Sequence, residues 1–295
     1  MSERKKPGRV FRFRGRGLAI GERPLLMGIL NLTPDSFSDG GRYNSPEKAL
    51  ERALQMLEEG ADIIDIGGES TRPGAAEIGA EEEINRIVPL ATELRRCRPE
   101  AVISVDSRKE KVARAALEAG ADIINDISGL QHSPGMAKLA AEKNAGIILM
   151  HMRGEPRTMQ EPKQTSYGDM LAEVCRFLKA AAKSAEAAGV PRENIVLDPG
   201  IGFAKTASQS WELLRRLGDL TGLDYSLLLG ASRKSFLKEL PGADLPEKRL
   251  GGSLGVAAWA FARGVGILRV HDVRETAQLM AALEKCGFGG EESRQ

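Results

Sequence analysis

The sequence contains few cysteines, and they follow no common spacing. The three of them, Cys97, Cys175 and Cys286, stand far apart, and none belongs to a Cys-x-x-Cys pair. This pattern offers no zinc site and is typical of reduced thiols, so we expect a cytoplasmic protein.

An excess of either charge is also lacking. Lysine and arginine together number 42 against 41 for aspartate and glutamate in the 295 residues. No overall field then draws the chain to nucleic acid or to an anionic membrane, so any anion site must be local. One basic run near the N-terminus predicts only a solvated, frayed tail, and we assign it no function: Arg4, Lys5, Lys6, Arg9, Arg12, Arg14 and Arg16.

Long apolar segments are absent as well. No N-terminal segment resembles a signal peptide, and no run reaches the roughly 20 apolar residues that cross a bilayer. A hydrophobic fraction of 42% is nevertheless enough for a substantial core. We therefore expect a soluble, intracellular, globular protein without a membrane or nucleic-acid partner.

What the sequence does contain is an alternation of short apolar runs with amphipathic helical patterns. A helix is predicted over residues 46–59, with Ser45 as its N-cap and Gly60 just past its end. Residues 10–20 predict a short antiparallel hairpin that caps one end of the fold. The strands are predicted at 25–30, 62–66, 102–105, 123–127, 146–150, 195–197, 226–229 and 266–270.

A short internal sequence repeat supports a repetitive architecture. Gly60 and Gly120 lie 60 residues apart, and each is followed by Ala-Asp-Ile-Ile. At roughly 30 residues per βα unit, this distance corresponds to two units of one repeating fold. About eight such units in one chain favour a single (β/α)8 TIM barrel over a doubly wound sheet.

The polar residues at the predicted strand ends favour the barrel too. In a barrel they converge on one face, whereas a doubly wound sheet gathers only those near its switch point. The predicted organisation is an N-terminal tail and hairpin at 1–20, a barrel at 21–288 and a disordered tail at 289–295. The strand-end residues are Asn31, Asp65, Asp106, Asn125, His151, Asp198, Ser232, Arg269 and His271.

Two loops after the first barrel strands carry candidate binding groups. In segment 27–41, MGILNLTPDSFSDGG, a strand runs into a loop, and an ordinary surface connection is the alternative. The sequence GGESTRPGA, which begins at Gly67, offers hydroxyl groups and Arg72 to an anion. Its alternative is a Gly-Pro turn with a solvated arginine.

Two further strand ends present polar groups that need partners. Asp106 lies in VDSRK and Asn125 in NDIS. A bound heterocycle is one source of such partners, because buried polar groups are almost always hydrogen-bonded. The alternative is that either side chain caps neighbouring backbone.

The last strands bring carboxylate, aromatic and cationic groups together. Asp198 and Phe203 lie in LDPGIGFAK, and Arg269 and His271 face the same side of a strand in RVHD. GASRKSF adds a Ser-Arg-Lys triplet, for which a solvated helix start is the alternative. The sum predicts a local cationic pocket, and barrels often hold phosphate after their last two strands.

The remaining histidines are not assigned to a site. His132 is interpreted as incidental. His151, in HMRGEP, lacks a second histidine or carboxylate at metal spacing and is interpreted as a polar rim residue.

Together these motifs carry a resemblance that spans almost the full chain. In order, NLTPDSFSDGG, ESTRPGA, VDSRK, NDI, HMRGEPRTMQ, LDPGIGFAK, SRKSF and RVHDV resemble the motifs of the dihydropteroate synthase family. The resemblance implies condensation of 6-hydroxymethyl-7,8-dihydropterin pyrophosphate with p-aminobenzoate to 7,8-dihydropteroate and pyrophosphate in folate synthesis. It also implies assistance by Mg²⁺ and a homodimer formed through helices late in the barrel.

Site residues are implied by position in the matching motifs. The catalytic set is Asp106, Asp198, Lys234, Arg269 and His271. The pterin-binding set is Asp106, Asn125, Met150, Asp198, Gly202, Phe203, Lys234 and Arg269. The p-aminobenzoate set is Phe37, Thr71, Arg72, Pro73, Ser232 and Lys234. The pyrophosphate set is Asn31, Thr71, Arg72, Arg269 and His271, with Asn31 also as the metal ligand.

The implied mechanism is an SN1-like substitution that needs no protein nucleophile, because positioning and electrostatics supply the rate. Residues 33–41 are expected to form a lid, with Asp35 either a metal contact or a turn former. Ala204 and Ser107 depart from the usual Gly and Thr of the family without loss of a functional group. The rival interpretations are a methyltetrahydrofolate–corrinoid methyltransferase and a non-catalytic pterin-binding paralogue.

Overall fold

The eight predicted barrel strands are present and close into a parallel barrel. The computed structural model describes residues 9–21, 23–33, 46–72 and 74–288. The strands are β1 Arg9–Phe13, β2 Arg16–Ile20, β3 Leu25–Asn31, β4 Ile63–Gly67, β5 Ile103–Asp106, β6 Ile123–Asp126, β7 Gly146–Met150, β8 Ile195–Asp198, β9 Ser226–Leu229 and β10 Ile267–Val270. From β3 to β10 each barrel strand pairs with the next in sequence, and β10 closes the ring on β3.

Helices connect the strands on the outside of the ring. They are α1 Pro46–Glu58, α2 Ala80–Cys97, α3 Glu110–Glu118, α4 Met136–Glu142, α5 Pro162–Thr165, α6 Met170–Ala187, α7 Ala207–Arg215, α8 Leu217–Thr221, α9 Leu250–Ala262 and α10 Val273–Lys285. In the described part of the chain, 3-10 helices lie at Arg192–Asn194, Ser235–Glu239 and Pro246–Arg249. The helix predicted at 46–59 ends one residue earlier than expected, and its proposed cap, Ser45, lies outside the described residues.

The strands are apolar on both faces because each face meets a different partner. In β7, Ile148 points into the barrel, whereas Ile147 and Leu149 pack against the helix layer. This alternation is the two-residue period of a strand. A parallel strand covered on both faces therefore reads as a continuous apolar run, which is why the strands were predictable from sequence.

The predicted hairpin closes the end of the barrel where the strands begin. Phe11 and Phe13 are each only 1% exposed and pack inside the ring with Met27 and Ile63. Gly146 permits this approach, because a Cβ atom there would lie 2.8 Å from the Phe11 ring. The hairpin thus shares the core of the barrel, while the tail predicted at 289–295 lies outside the described residues.

The two Gly-Ala-Asp-Ile-Ile segments have the same local structure. Gly60 and Gly120 follow α1 and α3 with φ of +103° and +110°, a backbone region that favours glycine. In both, the following alanine donates back to the helix, at 2.9 Å for Ala61 N to Met56 O and for Ala121 N to Ala116 O. The sequence repeat is thus confirmed as a structural repeat, in which a helix end leads directly into a strand. Within the described part of the chain, no helix combines the length and apolarity needed to cross a membrane.

Candidate active site

The carboxyl ends of the barrel strands bring the predicted polar residues to one face of the ring. At its centre lies Arg269, on β10, between carboxylates of β4 and β5. Its Nε donates to Asp65 Oδ2 at 2.6 Å, and its Nη2 donates to Asp106 Oδ2, also at 2.6 Å. Asn125 Nδ2 donates to the same Asp65 oxygen at 3.1 Å. Four strands are thereby joined by one charged network, which we call the central network.

The central network leaves acceptor atoms unused. Asp65 Oδ1 and Asp106 Oδ1 are buried without a hydrogen-bond partner. A buried acceptor without a donor is costly, and such atoms in a native fold call for an explanation. The free oxygen of Asp106 is available to a bound donor.

Burial sets the electrostatics of these groups. It raises the pKa of Asp106, the neighbouring Asp65 charge raises it further, and Arg269 opposes both effects. The pKa of Arg269 is raised above its ordinary value, because the two carboxylates outweigh the cost of its burial. The arginine therefore stays charged, and its charge is balanced inside the protein before any substrate binds.

A second group forms around β8 and the turn after β9. Lys234 Nζ donates to Ile201 O at 2.7 Å and lies 4.5 Å from the centre of the Phe203 ring. Asp198, which is 4% exposed, accepts from Gly200 N at 2.7 Å. Burial lowers the pKa of Lys234 to about 8, and the Asp198 carboxylate opposes this shift. Burial also raises the pKa of Asp198.

Two glycines at the strand ends lie next to these side chains and show how close they are. A Cβ atom at Gly230 would lie 3.7 Å from Arg269 Cβ and 3.8 Å from Lys234 Nζ, so both cations converge above this position. A Cβ atom at Gly67 would lie 3.2 Å from Asn31 Oδ1 and 3.5 Å from Asp106 Cβ. The Asn31 amide oxygen therefore borders the central network.

His271 lies beside the turn after β9. Its Nδ1 is 3.1 Å from Ser232 Oγ, and Ser232 Oγ also accepts from the His271 backbone N at 3.2 Å. Burial and the charges of Arg233 and Arg269 lower the pKa of His271 to about 3, and Arg72 contributes in the same direction. His271 is thus neutral at physiological pH.

Apolar side chains form the wall beside Lys234. Met150 is 2% exposed and packs with Ile127, Met152 and Met159, and Phe203 covers this cluster. Thioether and aromatic surfaces of this kind suit a flat ring. Gly202, beside Phe203, has φ of +79° and lies against the Lys234 stem.

The predicted aminobenzoate side is only partly described. Thr71 is half-buried and Arg72 is exposed on the loop between β4 and α2. Phe37 and Pro73 lie outside the described residues, as does most of the predicted lid. The central network, Lys234, Asp198, His271, Ser232 and Asn31 are the predicted residues that the structure brings to one face.

The structure decides between the alternatives left open for Asn125 and for the Ser-Arg-Lys triplet. Asp126, not Asn125, caps the loop after β6, since its carboxylate accepts from Ser128 N and Leu130 N at 2.8 Å each. Asn125 instead points to Asp65. The turn that carries Lys234 is not a solvated helix start, because Arg233 pairs with Asp272 through Nε at 2.9 Å.

Sequence reasoning left three supporting residues unassigned. Asp65 stood among the strand-end residues but received no role, although it is fully buried and holds both Arg269 and Asn125. Lys205 is 2% exposed and donates to Gly200 O and Phe203 O at 3.0 Å each. Arg249 donates to Arg233 O at 2.8 Å and holds the turn that contains Lys234. The signal for Asp65 was available, because an acidic residue inside an apolar strand requires a partner.

His151 is a buried residue, so its interpretation as a rim residue was wrong. It is 2% exposed, and its Nδ1 lies 2.9 Å from Lys205 Nζ. Burial and the Lys205 charge lower its pKa to about 2, so the ring stays neutral. Through Lys205, His151 supports the loop after β8.

Comparison with known proteins identifies the class to which this barrel belongs. A sequence model of the family described as pterin binding enzyme matches residues 27–271. These residues run from the first barrel strand to the histidine after the last one, and the chain belongs to this family.

The particular relatives are dihydropteroate synthases. That of Synechocystis sp. is 48% identical over 259 residues, which are 88% of this chain and 89% of that protein. The structure of Yersinia pestis dihydropteroate synthase in complex with a sulfonamide drug has a TM-score of 0.87 and 42% identity, and the match covers 94% of this chain and 98% of that one. The Xanthomonas albilineans dihydropteroate synthase with 4-aminobenzoic acid has a TM-score of 0.86 and 40% identity, with coverage of 95% and 98%.

Proposed function

We propose that this protein is a transferase that condenses 6-hydroxymethyl-7,8-dihydropterin pyrophosphate with p-aminobenzoate, giving 7,8-dihydropteroate and pyrophosphate. The observation that carries the proposal is the arrangement of Asp106, Asn125 and Asp198 around one pocket with Lys234 and Arg269. The dihydropteroate synthase relatives and the pterin-binding family support the same reaction.

Recognition of the pterin follows from the donor and acceptor character of the pocket. Carboxylate oxygens of Asp106 and Asp198 accept from the ring N–H and the exocyclic amine, while the Lys234 ammonium donates to the ring carbonyl and nitrogen. The unpaired Asp106 Oδ1 gains a donor in this way. Met150 and Phe203 supply the apolar wall for the ring.

Leaving-group binding is assigned to the predicted pyrophosphate set, Asn31, Thr71, Arg72, Arg269 and His271. The positive charge of Arg269 is already neutralised by Asp65 and Asp106. Its main contribution to diphosphate binding is therefore hydrogen bonds from its N–H groups. Neutral His271 contributes a further polar contact. The exposed guanidinium of Arg72 provides the balancing positive charge, since arginine binds phosphate oxygens in a bidentate manner.

A magnesium ion fits this donor set when substrate is present. Among the described residues, no group of three or more histidine, cysteine or acidic side chains is arranged to hold a metal. Mg²⁺ commonly takes one or two protein oxygens and completes its shell with water and substrate phosphates. The Asn31 amide oxygen, which lies near Asp106, would provide such a ligand. When bound, the ion neutralises charge that develops on the departing diphosphate.

The residues then promote substitution by position and charge. The bond between the exocyclic pterin carbon and the diphosphate oxygen breaks, and its electron pair leaves with the oxygen. The carboxylates of Asp106 and Asp198 stabilise the cation that develops on the pterin, because they are close and poorly screened. The aniline nitrogen forms the new bond to carbon and releases a proton to solvent.

One assay tests this function against its rivals. The protein is incubated with the pterin pyrophosphate, labelled p-aminobenzoate and Mg²⁺, and labelled dihydropteroate and released pyrophosphate are measured. Absence of both products would refute the proposal. Methyl transfer from methyltetrahydrofolate to cob(I)alamin in a parallel reaction would favour the methyltransferase, and pterin binding without either reaction would favour the non-catalytic paralogue.

We also propose a cytoplasmic homodimer that assembles through the late helices. Trp259, on the outer side of α9, is 39% exposed, and Leu245, in the segment that precedes α9, is 49% exposed. Large exposed apolar side chains of this kind are enriched at protein interfaces. Sedimentation equilibrium of the wild-type protein and of Trp259→Glu tests the interface, and a wild-type monomer at micromolar concentration would refute it.

A further inference from the structure

We propose that Arg108 is a positioning residue that joins the loop carrying Thr71 and Arg72 to the loop after β7. Through this connection, the loop beside the pterin pocket would hold the loop of the aminobenzoate site in place. The inference rests on the proposed function and extends it. Arg108 belongs to the VDSRK motif, to which no role was assigned beyond Asp106.

Arg108 lies at the junction of three loops. Its backbone carbonyl accepts from Ser133 Oγ at 2.8 Å, which anchors it to the loop after β6. Its side chain is only 5% exposed and extends between the other two loops. A guanidinium buried to this degree requires acidic partners.

On one side, the partners lie in the loop between β4 and α2. Arg108 Nη2 is 3.2 Å from Glu77 Oε1, and its Nε is 3.6 Å from Glu69 Oε2. Glu69 also accepts from Ile78 N at 3.0 Å, so one carboxylate ties the beginning of this loop to its end. Thr71 and Arg72 lie between these contacts.

Lys109 also holds the loop between β4 and α2. Its Nζ is 3.1 Å from Glu69 Oε1 and 2.8 Å from Glu83 Oε2. Glu69 is 7% exposed and Glu83 is 1% exposed at the side chain, so these charges are shielded from water. Lys109 therefore anchors one loop, whereas Arg108 connects two.

On the other side, Arg108 pairs with Glu155 in the loop after β7. This loop leads to the pterin side, because Gln160 Nε2 donates to Gly202 O at 2.9 Å. Met152 and Met159 of the same loop pack with Met150 in the pocket wall. A continuous chain of contacts thus runs from the pterin wall through Glu155 and Arg108 to the loop of Arg72.

Physical continuity alone does not prove coupling, so the first test measures it without using catalysis. Amide hydrogen exchange is followed by mass spectrometry in the full-length protein. Arg108→Gln is expected to increase exchange about tenfold in peptides covering both 70–78 and 153–160, with the barrel strands unchanged. Arg108→Lys is expected to recover part of the protection in both.

The matched control is Lys111→Gln, which removes an exposed ion pair between Lys111 on α3 and Glu81 on α2. It should leave both loops unchanged, because exposed pairs contribute little. Unchanged exchange in either loop of Arg108→Gln, or faster exchange throughout the barrel, would overturn the proposal.

The second test uses a double-mutant cycle in the condensation assay. Arg108→Gln is expected to raise KM for p-aminobenzoate about fivefold, with a smaller rise in KM for the pterin pyrophosphate, whose diphosphate Arg72 is also proposed to bind. Gln160→Ala should raise the aminobenzoate KM about threefold in the wild type but not in Arg108→Gln, because the connection is already broken. Independent, multiplicative effects would overturn the coupling. If the wild type forms no product, the proposed function fails, and hydrogen exchange alone decides the role of Arg108.

Discussion

At the scale of single residues, Asp65 shows how a side chain without direct access to solvent organises a site. It is fully buried on β4, and one of its oxygens receives both Arg269 and Asn125. Arg269 in turn holds Asp106 at 2.6 Å. The placement of two proposed pterin-binding residues therefore depends on one carboxylate that sequence reasoning left without a role.

Replacement of this carboxylate by its isosteric amide tests the dependence. We expect Asp65→Asn to lower kcat/KM for the pterin substrate about 100-fold, because a buried charge pair loses one partner at a cost of about 3 kcal/mol. Asp62→Asn is the control, since Asp62 pairs with Arg23 at 2.9 Å and receives the Leu26 amide near the start of β3. It should lower stability and leave kcat unchanged. Equal losses of activity in the two variants would contradict the role of Asp65.

Lys234 gives the site a pH dependence with a definite sign. Its pKa is lowered to about 8, mainly by burial, so the ammonium loses its proton as pH rises through that value. The contribution of Lys234 to pterin affinity is expected to be full below pH 7 and to fall progressively above pH 8, because the neutral amine donates a weaker hydrogen bond. Calorimetric measurement of pterin affinity between pH 6 and 10 tests this alkaline decrease.

Lys234→Arg provides the check on that assignment. The guanidinium stays charged throughout the range, so the alkaline fall should disappear even if the maximal affinity is lower. An alkaline fall that persists in Lys234→Arg would assign the titration to another group. His271 does not contribute, because its pKa of about 3 keeps it neutral from pH 6 upward.

At the scale of elements, the loop after β8 combines two backbone positions with opposite tolerance. Gly200 has φ of +68°, and a Cβ atom there would lie 2.0 Å from the carbonyl oxygen of His151. Ala204, four residues later, has φ of +48° in the same left-handed region. The glycine that the motif resemblance leads us to expect at this second position would thus have a conformational reason.

The two positions predict opposite outcomes of exchange between glycine and alanine. Gly200→Ala should lower the free energy of unfolding by about 3 kcal/mol or more, because it combines a clash with backbone strain. Ala204→Gly should be neutral or stabilising by up to about 1 kcal/mol, since relief of strain exceeds the added chain entropy. Urea denaturation of both variants measures the difference, and a tolerated Gly200→Ala would show that the loop relaxes freely.

At the scale of the whole molecule, one end of the barrel is devoted to stability and the other to chemistry. The hairpin fills the end where the strands start, with Phe11 and Phe13 inside the ring. The proposed site occupies the opposite end, where the charged side chains converge. In barrel enzymes the same separation is general, since catalytic residues lie on the loops at the carboxyl ends of the strands.

This separation predicts that damage to the hairpin spares catalysis. Phe11→Ala is expected to lower the free energy of unfolding by about 3–5 kcal/mol, because it opens a cavity in a packed core. The kcat of the folded fraction at low temperature should remain within twofold of wild type. Arg12→Ala, at an exposed position of the same strand, is the control and should change stability by less than about 0.5 kcal/mol. A large fall in kcat with Phe11→Ala would show that the two ends are coupled.

The fold was largely predictable because its physical signals are local. Each barrel strand is covered on both faces, so it appears as a short apolar run, and helix ends such as Gly60 are marked by a residue that tolerates positive φ. The strands predicted at 146–150 and 226–229 have the observed bounds, and the other six differ from the observed bounds by one residue at one or both ends. These errors fall where strand and loop geometries meet, which a sequence pattern does not resolve.

The sequence by itself determined the class of fold, the polar character of the strand ends and, through motif resemblance, the proposed reaction. Tertiary structure alone decided which polar groups share a partner. Asp65 and Arg269 are 204 residues apart in the chain, and they meet only because β10 closes the ring on β3 next to β4. It also decided their charge states, because burial and neighbouring charges set the pKa values of Lys234 and His271. Periodicity is a property of adjacent residues, whereas pairing and desolvation are properties of groups brought together by the fold.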